Sequence, residues 1–378
     1  MALVFGLGLG ISCGPATPAE TSIPTESAQS RPVAGDAGES AAADDGPVTV
    51  PGFKAIDVYG TSQVTARAVV DQHRALFEEL GQLHGAGPGD ADSARRFGEV
   101  MVGLIQGIGA MGSFAHVDLG IISFYPPERG TYLTVDIVEE VDRERRIVFD
   151  ASPVGDITDP EGLLAAWSEY MSRSFALLRK GEVDQKGPCP VFHCTFGFTH
   201  PELAPFEKRF TDGAARHKEV LIRALREDKE PEKRANAAFA LAHLPDGDEV
   251  VRLMLPAIRD PSSRVRNNAM RVTAMIATNH PDIAVPIAPF IEALNYPATS
   301  DRNKAAATLK YLAKNPETHP VLVREAGDVL LALLRLHQPA NHDDAYEILK
   351  MISGKEYGAR DYSAWRTWLN QARSGARK

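Results

Sequence analysis

A short phrase recurs three times in the carboxy-terminal half of the chain. It reads Lys233-Arg234-Ala235-Asn236-Ala237-Ala238, then Val265-Arg266-Asn267-Asn268-Ala269-Met270, then Asp301-Arg302-Asn303-Lys304-Ala305-Ala306. The anchoring arginines lie 32 and 36 residues apart. A period of that size fits stacked helix pairs, each too small to bury its apolar face alone. The pattern predicts helix pairs at 214–226 with 231–244, 248–259 with 262–278, 282–294 with 300–314, and 319–336 with 341–352. Pro231 and Pro245 bracket one of these helices, since proline starts a helix well and cannot continue one. Alanines 237, 238, 269, 305 and 306 let neighbouring helices approach closely, and Leu241, Val272 and Leu309 fill the seam. A last helix carrying Trp365 and Trp368 is expected to cover the open end of the stack.

The phrase resembles the second helix of a HEAT repeat, x-V-R-x-x-A-A-x-x-L. The resemblance implies an all-α solenoid over residues 214–378 and an extended surface for another protein. Two readings of Arg234, Arg266 and Arg302 stay open. Each either bridges an acidic neighbour in the adjacent repeat or lies in solvent, or the three line a concave face that receives an acidic protein partner. Asn236 and Asn268, at matched positions, are expected to bond across repeats.

The amino terminus has a different character. Residues 2–11 are apolar and run directly into Ser12-Cys13-Gly14. This resembles a bacterial lipoprotein signal, with Cys13 as the lipidated residue, and implies an exported protein held at the periplasmic or outer-membrane surface by a lipid anchor. Ten apolar residues are too few to span a bilayer, which takes about 20. Residues 14–50 are rich in Ala, Pro, Ser, Gly, Thr and Asp, a composition that cannot offset the entropy of ordering and reads as a linker. Residues 1–50 carry one basic and six acidic side chains, whereas residues 213–378 carry 25 basic and 20 acidic. An excess of five cations over 166 residues is too dilute for nucleic acid, where clustered Lys and Arg are expected.

Residues 51–150 read as a small α+β domain. Phe53–Tyr59 alternates as a strand and stops at Gly60, and Thr61 or Ser62 is placed to cap a helix ending at Gly81. A second helix carries Phe97, Met101, Leu104 and Ile108 on one face. Two strands follow, with Val117, Leu119 and Ile121 on one face of the first and Leu133, Val135 and Ile137 on one face of the second, around a turn at 126–130. The order strand–helix–helix–strand–strand, with Ile56-Asp-Val-Tyr-Gly60 at the front and Tyr132–Glu140 followed by Arg146–Phe149 at the back, resembles the POTRA domain of outer-membrane assembly proteins. That resemblance implies a strand edge able to pair with an extended peptide.

Residues 151–213 read as a helical connector. Asp159-Pro160-Glu161 opens a helix that Gly181 ends, and a loop holding Cys189, His193, Cys194 and His200 follows. The cysteines are either bridged, as an exported protein favours, or unpaired packing residues. The alternatives are a zinc site using both cysteines and both histidines, or a cysteine nucleophile beside a histidine. His200-Pro201 reads as a turn into the next segment.

The fold class is therefore multidomain: an α+β, POTRA-like βααββ domain before a HEAT-type solenoid. The chain holds no G-x-x-x-x-G-K-[ST], H-E-x-x-H or G-x-S-x-G. No catalytic residue, metal or cofactor is assigned, and the expected function is non-catalytic binding or scaffolding of an envelope protein. An enzyme built on residues 189–200 is the alternative. Nucleic-acid binding through the repeats and a repeat-type chromophore lyase are further readings with less in the residues to favour them.

Overall fold

The computed structural model describes residues 46–85, 91–124, 130–183 and 189–375. The lipidation candidate Cys13 and linker residues 14–45 lie outside these, as do residues 126–129 of the expected turn. The described residues divide into two units, one reaching Glu140 and including Leu336–Gln338, the other comprising Val141–Arg335 and Pro339 onward.

In the first unit the strands are β1 (Val48–Val50), β2 (Phe53–Tyr59), β3 (Phe114–Phe124) and β4 (Gly130–Glu139). The sheet order is β1-β2-β4-β3, with β2 parallel to β4 and the other pairings antiparallel. A parallel pair needs a crossover, supplied by α1 (Ala66–Gly85) and α2 (Ala91–Gly109). Their apolar faces bury Val69, Phe77, Leu104 and Ile108 against Leu119, Ile121, Leu133, Val135 and Ile137. The predicted order of elements holds, with two local corrections. Thr61 does not cap α1: its hydroxyl donates to Glu139 Oε1 at 2.7 Å, and Thr65 Oγ1 accepts from Ala68 N instead. Nor does Gly81 end α1. It is buried four residues before the helix ends, where a Cβ would lie 2.1 Å from Pro51 O, so its role is close approach of the β1–β2 turn. β1 also occupies the β2 edge, one of the two strand edges a peptide would need. Also within this unit, the buried Asp57 carboxylate accepts from the backbone N–H groups of His337 and Gln338 at 2.9 and 3.1 Å.

The second unit begins with α3 (Arg143–Arg146), so Arg146–Phe149, expected as a continuation of the sheet, belongs to the helical unit. The helices that follow are α4 (Leu163–Lys180), α5 (Ala204–Arg216), α6 (Lys218–Glu227), α7 (Pro231–Leu241), α8 (Gly247–Ala257) and α9 (Ser263–Asn279). After them come α10 (Ala288–Ala293), α11 (Thr299–Leu312), α12 (His319–Val321), a π-helical turn (Leu322–Ala326), α13 (Gly327–Leu333), α14 (Pro339–Ser353) and α15 (Tyr362–Gly375). Asp159 caps α4, accepting from Leu164 N and Ala165 N at 2.9 Å each, and Gly181 ends it in the left-handed region at φ 75°.

Four pairs form, α6/α7, α8/α9, α10/α11 and α13/α14, and their second helices pack side by side in one row. α4 stands beside α7 at the head of that row, so the connector helix extends the array. An aromatic group of Trp167, Tyr170, Phe206, Phe210 and Phe239 seals that junction. α10 is shorter than the helix expected from residue 282. Pro286 has no N–H and excludes helical geometry at Val285, so the helix waits until Ala288. At the far end Trp365 and Leu369 of α15 are fully buried, and Asp328 of α13 pairs with Arg366 and Arg373 at 2.7 Å. Arg373 also donates to the carbonyls of Val323 and Arg324 in the π-helical turn.

An extended strap, residues 146–157, runs across the turns that join the helices of the first three pairs. Arg146 Nε donates to Asn295 O at 3.0 Å, Asp150 N to Arg259 O at 2.9 Å, and Gly155 N to Glu227 O at 2.8 Å. Phe149 lies edge-on to Tyr296, with the Arg266 guanidinium 3.8 Å from its ring centre. Three successive repeats are thereby tied by one strand-like segment. Among the described residues no helix is long and apolar enough to cross a membrane.

Candidate protein-interaction face of the helical array

The repeated arginines form a ladder inside the array. Arg234 donates Nε and Nη2 to the Asp260 carboxylate at 2.7 and 2.8 Å, and Nη1 to Asp228 O at 2.8 Å. Arg266 does the same one repeat later, with Nε on Asp301 Oδ2 at 2.8 Å and Nη1 on Asp260 O at 2.7 Å. Arg302 meets a neutral rung, Asn341 Oδ1, at 3.4 Å and donates to Tyr296 O at 3.0 Å. All three guanidinium groups are buried. The reading in which they face a partner gives way to the internal one: each arginine is spent on its own turn and on the next repeat. The geometry has a simple cause: six residues separate each arginine from the turn carbonyl it caps, and the acid for the preceding arginine comes from that same turn (Asp260) or from the first turn of the helix that follows it (Asp301).

The asparagines form a second ladder, one face over. Asn236 Nδ2 donates to Leu164 O and Ser168 Oγ of α4 at 3.1 and 2.8 Å, and Asn268 Nδ2 to Ala235 O of α7 at 2.9 Å. Each links a helix of the second row to the one before it. At the matched position of the third repeat stands Lys304.

What remains partly open on this row is a strip at helical spacing: Asn267, Arg271, Ala274 and Thr278 of α9, then Ser300, Lys304, Ala307 and Tyr311 of α11. Sequence reasoning singled out none of these. The one legible sign was Lys304, where the phrase departs from asparagine.

The Cys/His loop lies against the same row. Cys189 and Cys194 stand at disulfide distance, with Cα atoms 5.5 Å apart, which leaves neither sulfur as a thiolate nucleophile or zinc ligand. Phe192 N donates to Ala242 O at 3.2 Å, and the buried His193 ring stacks on Phe239, centroids 4.5 Å apart. Burial, reinforced by the positive charges of Arg271, His243 and Lys304, pushes His193 down to about 3. Burial alone takes His243 to about 3. Neither ring is poised to exchange protons near neutrality. His200 closes the turn into α5, its carbonyl accepting from Leu203 N and Ala204 N at 2.9 Å each. The cysteine–histidine enzyme site is therefore not supported.

This architecture, with short helix pairs stacked side by side and an arginine–aspartate ladder between repeats, defines the class of helical-repeat α-solenoids. Residues 219–310 match the family model described as HEAT repeats, covering the pairs that carry the Arg234 and Arg266 rungs and reaching into α11. Comparison with curated proteins and with solved structures returned no match. HEAT repeats fit a protein-interaction or scaffold role.

Proposed function

We propose that this chain is a non-catalytic protein of the bacterial cell envelope that binds another protein through the second-helix row of its HEAT array. The carrying observation is the division of labour along that row. The arginine and asparagine ladders hold the repeats together from within, and among the described residues the strip from Asn267 to Tyr311 makes its side-chain hydrogen bonds only within its own helices. An array that is held together from within and keeps a strip of mixed polar and apolar side chains offers area rather than a cavity, as solenoid binders do. In this reading the apolar start ending at Cys13 is an export and lipidation signal, residues 14–50 are a leash, and the α+β unit is a POTRA-like module. β3 at the sheet edge supplies a secondary peptide-pairing strand.

The test is site-specific photo-crosslinking in the full chain within envelope membranes. A crosslinker at Ala274 or Ala307 is expected to capture a protein, and one at Arg252 on the opposite row is not. Capture from His116 on β3 alone would move recognition to the sheet edge. No capture from either surface would end the binding proposal.

A further inference from the structure

Two cations of the open strip, Arg271 on α9 and Lys304 on the adjoining α11, make no ion pair with a carboxylate among the described residues. Arg271 has one side-chain bond, Nε to Asn267 Oδ1 at 2.8 Å, and Lys304 has one, Nζ to Asn303 Oδ1 at 2.7 Å. Neither is within ion-pair distance of an acidic group among the described residues. Asp344, the carboxylate whose charge reaches Lys304, is already held by Lys310. Both cations are enclosed on most sides, yet each keeps part of its surface open. The helices that carry them, α9 and α11, pack against each other, and the charge of Arg271 reaches Lys304, whose ammonium rests on Asn303, itself bonded to Ala340 O of α14 at 2.8 Å. The charges of both act on His193, whose Nδ1 is buried with no hydrogen-bond partner among the described residues. Enclosure pushes Arg271 down to about 10 and holds Lys304 well below the usual lysine range. An enclosed cation is costly until a counter-ion arrives.

We propose that Arg271 and Lys304 together receive one carboxylate from an acidic segment of the protein partner, with the His193 loop as the wall of the site. This rests on the protein-binding reading and names the chemistry of the partner. The Arg271 Nε is occupied, so the guanidinium presents its Nη1 and Nη2 edge, a bidentate fit to a carboxylate. Lys304 adds a point charge from the neighbouring helix. A phosphate would want more donors than these. Both residues lie well inside their helices, away from the free backbone N–H groups of a helix start that phosphate sites use.

The probe is a capped tetraglutamate peptide titrated into the full chain, read by calorimetry and by the side-chain carbon signal of Lys304 in NMR. In the free chain Lys304 is expected to titrate below the ordinary lysine range, and with peptide its pKa is expected to rise. R271Q and K304Q, each checked for an unchanged melting transition, are expected to weaken binding at least about tenfold, the loss of one charge-assisted hydrogen bond. Tetraglutamine should not bind, and inorganic phosphate should compete no better than chloride at equal ionic strength. The proposal is overturned by a Lys304 of ordinary pKa in the free chain, which means a carboxylate of the chain itself fills the site. Peptide binding indifferent to both substitutions, or preferential competition by phosphate, overturns it too. If the crosslinked partner is captured equally by wild type and by the double variant, this site fails while the protein-binding reading stands. If wild type captures no protein, that reading fails, and the peptide titration still decides whether the pair takes a carboxylate.

Discussion

Asp260 serves two rungs at once. Its carboxylate takes Arg234 and the N–H of Ser262, while its carbonyl takes Arg266. Removing that charge strands a buried guanidinium, whose uncompensated burial costs far more than an exposed pair is worth. D260N is therefore expected to destabilise the helical unit by about 3–5 kcal/mol in urea unfolding. Replacing both partners by apolar residues, Arg234→Met with Asp260→Leu, is expected to recover much of the loss, because the penalty lies in leaving one charge alone. A D260N variant within about 1 kcal/mol of wild type would show that the ladder is decorative. The same residues mark what a sequence reading can reach. The period made the arginines legible as a set and allowed an acidic neighbour as their partner. Whether they faced in or out depended on where the acids fall, and Asp260 sits in the turn before α9 whereas Asp301 lies in the first turn of α11 beside Arg302. Arg271 and Lys304 were not legible as a pair, since their meeting depends on the register between α9 and α11.

At the scale of elements, the strands and the long helices followed from periodicity, and the misses share one cause. Gly81 looks like a helix stop in sequence because glycine commonly follows a last turn. In the fold it is a helical residue pressed against the β1–β2 turn. The two roles predict opposite responses. G81A is expected to destabilise the sheet unit by about 1–3 kcal/mol through overpacking, despite the better helix propensity of alanine. G85A, at a position where a Cβ meets nothing within 4 Å, is expected to be neutral or to stabilise by up to about 1 kcal/mol. Equal effects in thermal melts would contradict the close approach at Pro51. The strap 146–157 was invisible for a related reason. Its bonds are backbone N–H groups meeting turn carbonyls, and these carry no side-chain signature. Arg373 acts likewise at the other end, donating to two carbonyls of the π-helical turn while pairing with Asp328. R373Q is expected to loosen α15, read as faster amide exchange in residues 362–375 with little change in the α7–α9 rows.

At the scale of the molecule, the acid response of the helical unit can be traced to two side chains. His193 and His243 are buried in the helical unit, near Phe239 and Trp167, and burial takes both from an ordinary value of 6.5 to about 3. Their neutral forms are what the fold tolerates. Once unfolded, the chain regains the ordinary affinity for protons, so below about pH 6.5 it binds protons the folded state refuses. Stability is therefore complete above that pH and falls as pH drops toward 3, by up to about 1.4 kcal/mol per pH unit for each histidine. The chain's three tryptophans, Trp167, Trp365 and Trp368, all lie in the helical unit, so tryptophan fluorescence in urea reports that unit alone. Its midpoint is expected to fall between pH 6.5 and 4.5, above the range where ordinary carboxylates take up protons. H243Q, whatever its effect at pH 7.5, is expected to remove about half of that slope, because one of the two rings no longer titrates on unfolding. A wild-type midpoint flat over this interval, or an H243Q slope equal to wild type, would mean that water reaches these rings and that the loop pinned by Cys189 and Cys194 does not seal the face it lies on.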